Sequence, residues 1–220
     1  MDTSEAIKTR KSCRKFLPTE IPRKEIEMVI IDAMSAPSYK NSQPWQVAVV
    51  SGNKKNELSK LLLDLLNQNV SIQPDIPEAL QWPEINATRI KNTIAKRIQA
   101  YGIQPGDPDA PRKSRMANFQ FYGAPVVLFF FQDASLGLWS ILDMGMFIEN
   151  IMLGFHARGM ASVPQAFLTD YSSQVKQFLG IGDHNRLILG MSAGLPDLND
   201  PKATFSPARV SLEEIVCWME

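Results

Sequence analysis

Pro125-Val126-Val127-Leu128-Phe129-Phe130-Phe131 sets six consecutive apolar residues behind a proline, and half of the six are phenylalanine. Successive side chains on a strand point to opposite faces, so a strand with no polar position must be covered on both sides. Six residues suit a buried strand and fall far short of the roughly 20 needed to span a bilayer. A second apolar stretch follows from about Leu138 to Arg158, ended by Gly159, and it is apolar on nearly every side of a helical wheel. A doubly covered strand beside a helix with no polar stripe requires a layered fold with both elements at its centre.

The remaining elements arrange themselves around that pair. Thr3 or Ser4 can cap a short first helix, and Pro22 opens a second in which Ile26, Ile30 and Ala33 recur until Ala36-Pro37 stops it. Trp45–Val50 reads as a strand closed by Ser51-Gly52, then a helix carries Leu58, Leu61, Leu62 and Leu65 on one face. A short strand near Ala161–Gln165, a helix after Ser172, a strand over Arg186–Gly194 and a last helix capped by Ser211 and Glu214 complete the order. Between them, residues 67–124 are broken by Pro74, Pro77, Pro83, Pro105, Pro108 and Pro111 around one helix bearing Ile90, Ile94, Ile98 and Tyr101. Strands and helices alternate unevenly, so the expectation is an α+β domain over residues 1–220, with 67–124 as an excursion from the core.

Charge narrows the partners. Lys plus Arg equals Asp plus Glu at 23 each, so no overall field draws the chain to nucleic acid or to an anionic membrane. Any anion must be met locally. Cys13 and Cys217 fit no metal spacing and read as two free thiols of a reducing compartment. The polar start MDTSEAIKTRK has no apolar region behind its basic residues, which predicts a cytoplasmic protein. His156 and His184 are the only histidines and no metal motif accompanies them, so no metal is expected and His156 is assigned to its helix dipole. Gly180-Ile181-Gly182 follows a helix and has Asn185 in the place of a third glycine, so it reads as a glycine cap and not as a dinucleotide loop.

Two polar stretches hold the candidate chemistry. Thr9–Phe16, TRKSCRKF, sets Arg10, Lys11, Arg14 and Lys15 around Ser12. On composition alone this is a solvated helix end. If the turn is helical, however, Arg10 and Arg14 point the same way and with Ser12 form half of a phosphomonoester site. Ser12 and Lys15 also match the S-x-x-K of acyl-serine hydrolases, but neither K-T-G nor S-D-N occurs, which disfavours that chemistry. The second stretch, Ala36–Trp45, offers Asn41 and Gln43, amides that can read the edge of a ring bearing C=O and N–H groups; by itself it also fits an ordinary loop.

Taken together, Arg10, Ser12, Arg14 and Phe16 (R-x-S-x-R/K-x-F) and Ala36, Pro37, Ser38, Asn41, Gln43, Pro44 and Trp45 (A-P-S-x-x-N-x-Q-P-W) resemble the FMN-dependent nitroreductase family. Val163-Pro164-Gln165-Ala166 matches its short proline turn, and the tail from Gly194 to Val216 resembles its G-x-P segment with Arg209 before a short helix. The resemblance implies a nitroreductase-like three-layer fold, a central mixed sheet flanked by helices, in an intertwined homodimer with FMN at the interface. It implies Arg10, Lys11, Ser12, Arg14 and Arg209 at the phosphate end. Pro37, Ser38 and Asn41 would come from the other subunit with Gln43 near the pyrimidine, and Val163–Ala166 would lie against the ring.

The implied activity is transfer of hydride from NADPH or NADH through FMN to a small aromatic acceptor, nitroaromatic or quinone, with no separate catalytic residue. Reduction of activated C=C bonds, or flavin binding without turnover, are the alternatives. Tyr39, Phe119 and Tyr122 are candidates to touch the acceptor. The chain departs from its relatives at Tyr39-Lys40, where a second small hydroxyl residue is common, and at Ser206, where many carry another arginine.

Overall fold

The computed structural model describes residues 1–220. Four strands, β1 (Gln46–Ser51), β2 (Val126–Asp133), β3 (Ala161–Gln165) and β4 (Asn185–Gly194), form one sheet in the order β1-β2-β4-β3, every pair antiparallel. Its mixed character comes from one edge, where Ser12 bridges Ser162 of β3 in the parallel sense. The apolar run is the interior strand β2, whose residues Val126–Gln132 are all buried.

Two cores follow from the two faces of that strand. Val127, Phe129 and Phe131 point into one, with Leu58 and Leu62 of α3 (Gly52–Asn67), Phe119 of α5 (Ala110–Phe119) and Val175 of α7 (Ser172–Leu179). Val126, Leu128 and Phe130 point into the other, with Ile26, Val29 and Ala33 of α2 (Arg23–Ala33) and Met144, Phe147, Ile151 and Phe155 of α6 (Leu138–Ala157). The result is helix, sheet, helix. Helix α6 has the length and composition of a membrane-crossing helix, yet its buried face is the one applied to the sheet and to α2. Gly154 permits that close crossing, since a Cβ there would stand 3.2 Å from Val29 Cγ1.

Several boundaries differ from expectation for local reasons. The first helix, α1 (Thr3–Thr9), is capped by Asp2, whose carboxylate accepts from Glu5 N–H at 2.9 Å, rather than by Thr3 or Ser4. The excursion holds two helices, α4 (Glu84–Ala100) and α5; Pro111 marks the first turn of α5 and does not break it. The C-terminal helix does not form. Ser211 N–H donates to Glu214 Oε1 at 3.2 Å, but only a turn follows, beyond the one-turn helix α8 (Pro201–Thr204). Gly180 closes α7 at φ 68°, the left-handed cap that the sequence predicts.

Ionic ties hold residues 70–76 and α5 to the core. Asp75 pairs with the buried Lys176 Nζ at 3.1 Å and accepts the main-chain N–H of Leu187 at 2.7 Å. Arg115 pairs with Asp170 at 2.7 Å and lies over the ring of Phe167. Both cysteines are free, as expected: Cys217 is exposed, while Cys13 is buried, and that burial pushes its thiol from 9.0 up to about 11.

Gly190 lets the short turn Ala166–Thr169 lie against β4, because a Cβ there would stand 2.5 Å from Leu168 Cδ1 and 2.6 Å from its Cβ. Gly190→Ala is therefore expected to destabilise the protein by about 1–3 kcal/mol. Calorimetry should show the thermal midpoint lowered by roughly 2–4 °C per kcal/mol; an unchanged midpoint would contradict this packing. A Cys217→Ser variant should show no thiol reactive with an aromatic disulfide until denaturant is added. Because the thiol's folded pKa is raised, its contribution to stability is intact below the ordinary 9.0 and is lost as pH rises through about 11.

Candidate functional site

The cationic stretch Thr9–Phe16 is not a helical turn. α1 ends at Thr9, Arg10 caps it with ψ 134°, and the chain then runs beside β3, with Cys13 N–H donating to Ser162 O at 3.1 Å. In extended chain, four residues span up to about 13 Å. Arg10 and Arg14 therefore cannot clamp one phosphate as a helical pair, contrary to expectation. They can instead line the two ends of an elongated ligand. The parallel bridge fixes which end is which: Arg10 lies toward the start of β3, and Arg14 toward Pro164-Gln165-Ala166, where β3 gives way to its turn.

Helix α6 anchors the Arg10 end. Arg10 Nε meets Glu149 at 3.4 Å, and His156 sits 2.7 Å from Thr9 Oγ1. The Thr9 hydroxyl donates to Glu5 O at 2.7 Å, so His156 Nε2–H is the donor to Thr9. Burial, followed by the neighbouring Arg10 and Lys11 cations, pulls His156 below its ordinary pKa and favours this neutral form. His156 thus fixes the last turn of α1, a role beyond the helix-dipole assignment.

The Arg14 end is a cluster of cations and phenols. Arg14 lies close to the hydroxyl of Tyr122 and to Arg97 of α4. Burial, and then repulsion by Arg14, lower the pKa of Arg97, while burial first of all raises that of Tyr122. Neither guanidinium meets a carboxylate within 4.0 Å, and the buried Tyr101 hydroxyl has no hydrogen-bond partner. Arg209 likewise meets no carboxylate and donates only to the carbonyls of Pro207 and Ala208. Sequence reading overlooked Arg97; the signal was a cation four residues before Tyr101, on the apolar side of its helix.

The second stretch is a strained loop. Lys40, Asn41 and Gln43 all take positive φ, at 53°, 58° and 45°, a conformation that costs a non-glycine residue about 1–3 kcal/mol and concentrates at functional sites. Local bonds hold it: Asn41 N–H donates to Ser38 O at 2.9 Å, and Gln43 N–H to Ser38 Oγ at 3.0 Å. α6 holds it from outside. Tyr39 N–H donates to both oxygens of the buried Asp143 at 3.1 Å, and Trp45 stacks on Phe147 at 4.8 Å and 6°. Asp143 and Phe147 are four residues apart, hence on one face of that helix.

No hydrogen bond or ion pair joins this loop to the Arg10–Arg14 segment within the subunit. A groove of about 740 Å³ runs between them along α6, from Pro37 past Leu142 and Met146 to Glu149. Of the expected acceptor residues, Tyr39 is exposed and Tyr122 is partly buried. Phe119 is fully buried against Tyr171, so it belongs to the core and is unavailable to an acceptor. The Gln165 side chain also turns inward, donating to Asn118 O and Oδ1 at 3.1 Å and accepting from Ser192 Oγ.

The chain resembles proteins of known name along its whole length. The model of the Nitroreductase family matches residues 7–195. A 4-nitrobenzoate reductase of Pseudomonas putida is 34% identical over 216 residues, covering 96% of this chain and 92% of that one. The nitroreductase NfnB of Mycolicibacterium smegmatis is 32% identical over 192 residues, 87% of this chain and 81% of its own. Among solved structures, the FMN and NADPH-dependent nitroreductase NfnB from Sphigopyxis sp. strain HMH superposes with a TM-score of 0.96 at 27% identity, over 100% of both chains. The FMN-dependent NfnB from Mycobacterium smegmatis in complex with NADPH gives 0.94 at 29%, over 99% of this chain and 97% of that one. With two motif-bearing segments set around a doubly covered strand and matches that span the chain, this protein belongs to the nitroreductase family.

Proposed function

We propose that this protein is an NAD(P)H-dependent FMN oxidoreductase that reduces nitroaromatic compounds. One observation carries the reading: the Ser12–Ser162 bridge lays Arg10, Ser12 and Arg14 along β3 in register with the turn at Pro164–Ala166. The residues fit the cofactor. Arg10 and Ser12, with Lys11 beside them and Arg209 from the tail, supply donors for a dianionic phosphate, a stronger partner for Arg10 than the half-exposed Glu149. Arg14 is reassigned to the ring end, where its unneutralised charge favours an electron-rich pyrimidine. The main chain of Gln165 and Ala166, at the Arg14 end, faces the ring beside Val163 and Pro164.

When bound, FMN supplies the two-electron chemistry, accepting hydride from the nicotinamide and passing it to the acceptor. The protein binds, orients and excludes water. It needs no acid–base dyad, and none is present in these segments.

The site is shared between two copies of the chain. α6 leaves Leu138, Trp139 and Leu142 in solvent, and the tail exposes Leu212, Ile215 and Trp218. Such apolar surface marks an interface. Pairing through it brings the Pro37, Ser38, Asn41 and Gln43 loop of one copy to the Arg10–Arg14 segment of the other, which a single subunit does not do. The excursion at 67–124 walls the acceptor side through Tyr122.

Purified protein should carry visible flavin absorbance that NADPH bleaches without oxygen and a nitroaromatic restores; colourless protein releasing no FMN on heating would refute the reading. Arg10→Ala and Arg209→Ala should each weaken FMN retention about tenfold or more, as for loss of a charge-assisted bond, and full occupancy in both would misplace the phosphate. Light scattering should give twice the 24.6 kDa subunit mass. Leu142→Glu should shift the protein toward monomer and release flavin together; a monomeric, flavin-loaded variant would rule out the shared site.

A further inference from the structure

The flavin reading leaves one element without a role: α4, the first helix of the excursion. From Ile85 to Gly106 the chain carries Arg89, Lys91, Lys96 and Arg97 and not one Asp or Glu, a local excess of positive charge in a chain of zero net charge. Two ties mount this helix on the tail. Arg89 meets Glu214 at 3.0 Å, and the Tyr101 ring sets its edge against Phe205, centroids 5.9 Å apart at 77°. Positions four apart on a helix share a face, so Arg89, Thr93 and Arg97 form its row toward the protein, where all three are partly buried. Arg89 is neutralised by its tie. Arg97 meets no carboxylate within 4.0 Å, and neither do the exposed Lys91 and Lys96.

The near neighbours of Arg97 are a second cation, Arg14, and two phenols, Tyr101 and Tyr122. The Tyr101 hydroxyl is buried without a hydrogen-bond partner, and burial raises the pKa of Tyr122, so its phenol keeps the proton it can donate. A partly desolvated guanidinium among donors and far from any acid suits the oxyanion of a ligand. Of the two substrates in the proposed reaction, only the reductant brings one in every case: a diphosphate joins its two nucleosides, whereas a nitroaromatic need carry no charge. We propose that α4 is the docking face for the reductant: Arg97 holds the diphosphate of NADH or NADPH while the nicotinamide lies on the ring beside Arg14, and Lys91 and Lys96 draw the polyanion in. It rests on the flavin reading above, which puts the ring at Arg14.

Two hydride donors are compared on the FMN-loaded protein: NADPH, and N-benzyl-dihydronicotinamide, which has the same reacting ring and no phosphate. Arg97→Met should raise KM for NADPH about tenfold and leave kcat at saturation close to that of the wild type, while flavin reduction by the neutral donor is unchanged. Raised ionic strength should lower wild-type kcat/KM for NADPH, less steeply once Lys91 and Lys96 are both changed to Gln, and leave the neutral donor untouched. An unchanged KM for NADPH in Arg97→Met, or equal slowing with both donors, would overturn the proposal, the second outcome assigning Arg97 to the ring or to the fold. Calorimetric titration with ADP-ribose, the diphosphate arm without the nicotinamide, separates it from the reading it rests on. Should the protein hold no flavin, weaker ADP-ribose binding by Arg97→Met still supports the dock, and equal binding by both proteins overturns it.

Discussion

Everything in this molecule is arranged around the need to keep water off both faces of one strand. β2 offers no polar side chain from Val126 to Phe131, so the sheet cannot leave a face to solvent as antiparallel sheets commonly do. α3, α5 and α7 cover one face while α2 and α6 cover the other. That requirement places α6 against the sheet and leaves its opposite side, with Leu138, Trp139 and Leu142, without a covering element. The apolar content of one strand thus generates the surface through which a second copy is proposed to dock.

Electrostatics follow from the same geometry. In a chain of balanced charge, Arg14 and Arg97 stand side by side and find no carboxylate, although partners are used freely elsewhere, as in Arg115–Asp170 and Lys176–Asp75. The contrast separates two uses of charge. Paired ions tie residues 70–76 and α5 to the core, where desolvated cations need partners. Unpaired Arg14 and Arg97 stand together at the end proposed for the flavin ring, where no carboxylate offsets their mutual repulsion.

Features that depend on neighbours in sequence were readable, and those that depend on distant partners were not. β1, β2, α6 and the Gly180 cap declare themselves through apolar runs and a glycine at the right place. The two motif-bearing stretches were visible as unusual polar clusters. What the sequence conceals is tertiary: that Arg10–Arg14 is extended depends on the main chain of Ser162, 150 residues away, and nothing local specifies it. α5 was missed because Pro105, Pro108 and Pro111 read as breakers, whereas Pro111 begins the helix. Phe119 was assigned to an acceptor wall because an aromatic residue looks alike in a core or a pocket until its neighbour, here Tyr171, is known. Arg97, Asp143 and Glu149 emerge only when α4 and α6 are set beside their partners.

α6 touches both halves of the candidate site at fixed rungs: Asp143 and Phe147 hold the loop, Glu149 meets Arg10, and His156 steadies Thr9. With a rise of about 1.5 Å per residue, Asp143 and His156 lie roughly 20 Å apart on one rigid rod. The helix therefore acts as a ruler on which two exchangeable segments are mounted independently. Side chains at 39 and 40 can vary without disturbing the rungs at 149 and 156, so one half of the candidate site is free to change while the other stays put.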